Sequence, residues 1–129
     1  MMHNKNLGNF GEEYAAQFLE KKGYKILYRQ YFMSDGEIDI IASSGDYIIF
    51  VEVKTRTNSS YGNPIESVTK SKQRRIINMA TKYMADFPNM SARFDVIEVL
   101  VKSCANLEFM VEEINHIDNA FWRTDNENF

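Results

Sequence analysis

The feature that most restricts this chain is a pair of apolar runs, residues 36–43 and 46–56, joined through Ser44-Gly45-Asp46. Ile38, Ile40 and Ile41 in the first, and Ile48, Ile49, Phe50, Val51 and Val53 in the second, read as strands of a sheet interior. A Gly-Asp pair between two such runs signals a hairpin, with glycine suited to the first position of a type II′ turn. A two-residue turn sets Ser44 across from Tyr47. Counting outward, Asp39 falls opposite Glu52 and Glu37 opposite Lys54. Side chains alternate faces along a strand, so Glu37, Asp39, Glu52, Lys54 and Arg56 are expected on one face. A bulge or a longer loop would shift this register.

Such a face is costly as plain structure. Directly opposed residues have Cβ atoms about 4.5–5.5 Å apart, and like charges there destabilise the pair. Acids on a central strand need a partner. A hard divalent cation supplies one, because Mg²⁺ takes one or two carboxylates and completes its octahedron with water and phosphate oxygens. Lys54 stands about 6–7 Å along the strand from Glu52, where it would hold a phosphate or orient the attacking water. The metal would activate that water and neutralise charge on the phosphoryl group. These parts describe phosphodiester hydrolysis. The plainer reading is a half-exposed polar face with a Glu37–Lys54 cross-strand ion pair. The apolar surroundings and the second acid, thirteen positions before Glu52, favour the metal site.

The rest of the chain supplies a mixed sheet and two helices. Phe10, Tyr14 and Phe18 recur every four residues, Ala15 and Leu19 widen the stripe, and Gly23 follows two lysines. This predicts an amphipathic helix with a glycine stop. Residues 25–32 read as a strand. After a loop at residues 58–64, a second helix is expected from about Ile65 to Phe87, ended by Pro88. Residues 93–102 and 107–114 read as two further strands, and the tail from Ile117 as a short helix near Phe121. The order α-β-β-β-α-β-β predicts one α/β domain, a mixed central sheet flanked by helices.

The 129 residues suffice for one core, with 44% hydrophobic and 26% charged residues. No apolar run reaches the roughly 18 residues of a membrane span, and the N-terminus lacks the apolar region of a signal peptide. With one cysteine and two histidines, neither an internal disulfide nor a closed zinc site is available. A cytoplasmic protein is expected. The net charge is −3, but seven cations and one anion lie between Lys54 and Lys82, while the residues after Glu108 are acidic. A cationic face attracts phosphates whatever the net charge.

The runs at 36–41 (G-E-I-D-I-I) and 50–56 (F-V-E-V-K-T-R) resemble the PD-(D/E)xK nuclease signature of restriction-endonuclease-like and Holliday-junction-resolvase-like domains. A fuller resemblance is to the YraN-like family of uncharacterised bacterial proteins, through G-x-x-G-E at 8–12, G-Y at 23–24, K-Q-R-R-I at 72–76 and R-F-D-V at 93–96. It covers nearly the whole chain. It implies a restriction-endonuclease-like three-layer fold and suggests a Mg²⁺- or Mn²⁺-dependent nuclease acting on DNA, with branched or structured DNA as one substrate class. Asp39 matches the first motif acid, and Glu52 and Lys54 the E-x-K. Ile38 replaces the proline of the signature, which is not a ligand. Glu12 matches the helix-one acid that resolvase-like relatives place near the metal, and is preferred to its neighbour Glu13. A first-turn acid favoured by the helix dipole is the simpler account of Glu12.

Lys72 falls on the apolar stripe of the second helix, where a charge calls for a phosphate or carboxylate partner, unless its stem snorkels. Arg56, Lys72, Lys70 and Arg74 are the candidate nucleic-acid contacts, although Lys70 and Arg74 lie on the outer face, where a solvated surface is the better account. Asp95 is read as structural, paired with Arg56 or Lys72. Tyr28, Tyr31 and Phe32 are expected in the core rather than stacking on bases, and His116 has no assigned role. The competing function is a non-catalytic module that binds nucleic acid or protein. A homodimer or partner protein would extend the small surface available for gripping a duplex.

Overall fold

The structure, a computed structural model, describes residues 4–57, 67–103 and 108–121. Helix α1 spans Asn4–Lys21, followed by strands β1 (Lys25–Met33), β2 (Gly36–Ser44) and β3 (Tyr47–Arg56). Helix α2 (Lys70–Met84) leads into β4 (Ser91–Ser103) and β5 (Phe109–Ile117). The sheet order is β1-β2-β3-β4-β5. All neighbours are antiparallel except β3 and β4, which are parallel. This is the expected α-β-β-β-α-β-β mixed sheet.

A helix covers each face. On one, Ala15, Ala16 and Leu19 of α1 pack on Ile40, Ala42, Ile49, Val51, Ile97 and Val99. On the other, Ile76, Ile77, Met79 and Ala80 of α2 pack on Ile38, Ile41, Ile48, Phe50, Phe94 and Val96. Small residues dominate the α1 contact, and the aromatic stripe expected there lies to its side, with Tyr14 exposed. Gly11 explains why. A methyl group at that position would overlap the Thr55 side chain of β3, so the helix backbone sits against the sheet. α1 ends at Gly23 (φ 94°). The Tyr24 N–H donates to the Leu19 carbonyl (3.0 Å) and the Gly23 N–H to that of Glu20 (3.0 Å), which is the Schellman arrangement.

Several expectations are corrected. α1 begins at Asn4, ahead of Phe10, where its apolar stripe starts. α2 begins at Lys70 rather than near Ile65, because the Thr69 side chain caps it by accepting the Lys72 N–H (3.1 Å); Ile65 lies outside the described residues. The short helix near Phe121 is not formed among residues 118–121. Ile117 instead pairs with Val96, and Phe121 is buried with its ring stacked on Phe94 at 5.3 Å. Trp122 lies outside the described residues. Tyr31 is half-buried, but Tyr28 and Phe32 are 51% and 72% exposed, because β1 is a sheet edge with only part of its length under a helix. Among the described residues, no helix is long and apolar enough to cross a membrane.

Asp95 is structural, but its partners are not Arg56 or Lys72. It is fully buried and accepts Arg93 Nε (2.9 Å), Arg93 Nη2 (2.8 Å), the Asn119 N–H (3.0 Å) and His116 Nε2 (2.7 Å). Burial opposes its ionisation, yet these donors hold its pKa below the usual value. The other nitrogen of His116 lies 2.7 Å from the Lys22 ammonium. The network therefore ties β4 and β5 to the end of α1.

Two outcomes follow. Gly11→Ala should lose about 1–3 kcal/mol of stability through overpacking, whereas Gly8→Ala, which meets open space, should gain up to ~1 kcal/mol from helix propensity. Asp95→Ala should lose about 3–5 kcal/mol, because it leaves the part-buried Arg93 guanidinium and the Asn119 N–H without their carboxylate. Urea denaturation of each variant checks both.

Candidate functional site

The hairpin register counted from the sequence holds from Ser44–Tyr47 to Ile40–Val51. Then the strands part. Asp39 reaches across, and its Oδ2 accepts the Val53 N–H at 2.8 Å. Its side chain so replaces a rung of the ladder. The faces also change here. Ile38 packs in the α2-side core and Ile40 in the α1-side core, although strict alternation would give them one face. A matching irregularity lies on β1. Gln30 adopts φ 51° between Arg29, paired with Ile40, and Tyr31, paired with Ile38. A left-handed residue inside a strand resets the alternation opposite Asp39. No sequence signal marks Gln30, since glutamine has no special tolerance for that conformation.

β3 keeps its alternation and carries Glu52, Lys54 and Arg56 at the positions that continue Ile48 and Phe50. Glu52 is buried. Its Oε2 receives two ammonium groups, Lys72 Nζ at 2.5 Å and Lys54 Nζ at 3.4 Å. Lys72 on the apolar side of α2 thus has a carboxylate partner. Arg56 turns to the buried Glu98, 3.3 Å away. The cross-strand Glu37–Lys54 pair is replaced by Lys54–Glu52, and Glu37 instead lies opposite Phe32 of β1. Lys70 and Arg74 are exposed on α2.

Asp39 has its pKa pushed up to about 8. Burial is the main cause, and the negative charges of Glu52 and Glu12 add to it; the Val53 N–H and the Lys72 charge oppose it. Glu12 is buried on α1, one residue beyond the close approach at Gly11, while Glu13 is exposed and paired with Arg29 (2.8 Å). Burial raises the Glu12 pKa and Glu37 adds to it, against the nearby Arg29. Glu12 Oε1 is buried without a hydrogen bond, with Arg29 Nη2 at 3.5 Å. Asp39, Glu37, Lys72, Arg75 and Ile76 line a cleft of about 220 Å³.

The donors suit a hard cation. Asp39 and Glu52 offer carboxylate oxygens, and an unsatisfied oxygen of Glu12 belongs to the same electrostatic cluster. Among the described residues, no three acidic, histidine or cysteine side chains converge closely enough to hold an ion alone. The protein would therefore supply one or two ligands, and water or substrate the rest, which is the usual manner of Mg²⁺.

A mixed five-stranded sheet covered by a helix on each face defines an α/β protein, and its acids and lysines gather where two central strands part. The chain belongs to Uncharacterised protein family UPF0102, whose profile matches residues 11–99. It is 46% identical to a UPF0102 protein of Clostridium perfringens over 121 residues, 92% of this chain and 96% of that one. A UPF0102 protein of Clostridioides difficile is 47% identical over 122 residues, covering 93% and 100%. One of Chlorobaculum parvum is 48% identical over 117 residues, covering 89% and 91%. The resemblance to the YraN-like proteins is thereby borne out.

A pH signature follows from Asp39. The folded protein keeps its proton up to about pH 8, and the unfolded chain only to about pH 4. Between these values the folded state binds more protons, so its stability falls as pH rises. Asp39→Asn removes this penalty. The variant should match wild type near pH 4 and exceed it by a few kcal/mol, roughly, above pH 8, as read by chemical denaturation at several pH values. A constant difference across that range would contradict a protonated Asp39.

Proposed function

We propose that the protein is a metal-dependent phosphodiesterase acting on nucleic acid, with DNA the expected substrate. The observation that carries this reading is the meeting of Asp39 and Glu52, from two adjacent central strands, with two lysine ammonium groups on one carboxylate oxygen. A fold needs no such convergence of buried and half-buried acids for stability, and replacing buried ion pairs by apolar residues is often neutral or stabilising.

Asp39 and Glu52 would hold Mg²⁺ or Mn²⁺. When bound, the ion supplies Lewis acidity and lowers the pKa of a water molecule. Asp39 must lose its proton for this, so affinity should rise with pH toward 8. Val53 keeps the Asp39 carboxylate fixed through its N–H, leaving the other oxygen for a ligand. Lys54 stands beside Glu52 on a rigid central strand, placed to steady the attacking water or a phosphate oxygen. Glu12 takes the position of a third acid, held near the site by the Gly11 contact. Arg75 in the cleft, with Lys70 and Arg74 on the same helix, supplies positive charge for the phosphate backbone. A second copy or a partner protein would extend this surface.

The second reading is a binding module without catalysis. It is favoured by the way Lys72 and Lys54 already neutralise Glu52 without an ion.

Cleavage of labelled duplex, single-stranded, flap and four-way-junction substrates separates the two. Cleavage should require Mg²⁺ or Mn²⁺, stop with chelator, and fall by at least about 100-fold in Asp39→Ala and Lys54→Ala. If no substrate is cut in a metal-dependent and mutation-sensitive way, the binding module is the correct reading.

A further inference from the structure

We propose that Lys72 is an exchangeable counter-ion of Glu52, which closes the acidic pair while no divalent cation is bound and passes to an anionic substrate oxygen when one is. The inference rests on the metal-site reading above and adds an order of events to it.

The geometry carries it. Glu52 is 4% exposed and cannot be left bare. Lys72 Nζ is its nearest cation, at 2.5 Å from Oε2. A divalent ion on that carboxylate would face the ammonium at contact distance, where like charges repel strongly in a site with little water. One of the two must leave, and Lys72 is free to do so. Its backbone is fixed by the Thr69 cap, but its side chain is 34% exposed and lines the cleft beside Asp39 and Arg75. Rotation of the stem carries the ammonium into that cleft without moving the helix. Lys54 is the poorer candidate, being farther from the oxygen at 3.4 Å and less exposed, at 26%.

The exchange links two ligands through one side chain. An ion that displaces Lys72 frees a positive charge for a phosphate oxygen, and a phosphate that holds Lys72 frees Glu52 for the ion. Linkage makes the effect reciprocal.

Calorimetric Mg²⁺ titrations of wild type, Lys72→Met, Lys54→Met and Glu52→Gln, with and without inorganic phosphate, test this. Lys72→Met should bind Mg²⁺ roughly tenfold more tightly than wild type, a common size for such coupling. Inorganic phosphate should tighten Mg²⁺ binding to wild type and not to Lys72→Met. In case the variant folds poorly, the side-chain ammonium signals of ¹⁵N-labelled wild type give a second reading. The Lys72 signal should be sharp without Mg²⁺, broaden on its addition, and broaden equally in Glu52→Gln. Equal or weaker Mg²⁺ binding by Lys72→Met, with binding still lost in Glu52→Gln, overturns the exchange and leaves the metal site standing. Absence of Mg²⁺ binding in both wild type and Lys72→Met overturns both.

Discussion

Two carboxylates on neighbouring central strands, Glu52 buried and Asp39 half-buried beside a cleft, set the terms for this structure. Each acid is accommodated differently. Glu52 remains among cations, with two lysines on one oxygen. Asp39 takes a backbone N–H and holds its proton to about pH 8. Glu12 has Arg29 at 3.5 Å and Gln30 nearby, yet its Oε1 is buried without a hydrogen bond. A buried acid is tolerated when it is paired or neutralised, and Glu12 is the least satisfied of the three. Their coexistence in one cluster is hard to attribute to folding alone.

Backbone features build this cluster. The left-handed turn of Gln30 resets the faces of β1 opposite Asp39, and the β2–β3 ladder opens at the same level. The missing side chain of Gly11 lets α1 approach until Glu12 comes within electrostatic reach of Asp39. At the far end of that helix, the Arg93–Asp95–His116 network fixes β4 and β5. The acids are thus held by a scaffold anchored away from them, as a site needing fixed geometry requires.

Much of this was legible in the sequence. The Gly-Asp turn settles the β2–β3 register as far as Ile40–Val51, because a two-residue turn fixes which residues stand opposite each other. Gly23 marks the end of α1, and a lysine on an apolar stripe announces a buried acid. The rest depended on three-dimensional neighbours. The start of α2 follows from a threonine cap rather than from hydrophobic period. Asp95 finds Arg93 two residues away on its own strand, and His116 from the strand beside it, which no spacing rule foretells. Gln30 gives no chemical hint of its conformation. The depth of α1 follows from Gly11, Ala15 and Ala16, which make the close helix–sheet contact, and not from the larger aromatic side chains of its stripe.

The one parallel pairing in an otherwise antiparallel sheet has a consequence of its own. From the end of β3 at Arg56, the chain can begin β4 beside Tyr47 only by travelling back over the sheet. The element that makes this return, α2, starts at the end of β3 that bears Glu52 and Lys54. Its opening turn is delivered to that spot by connectivity before any side chain is chosen. Sequence change elsewhere along the helix can tune how it packs, but the lysine at its head inherits its address from the path of the chain.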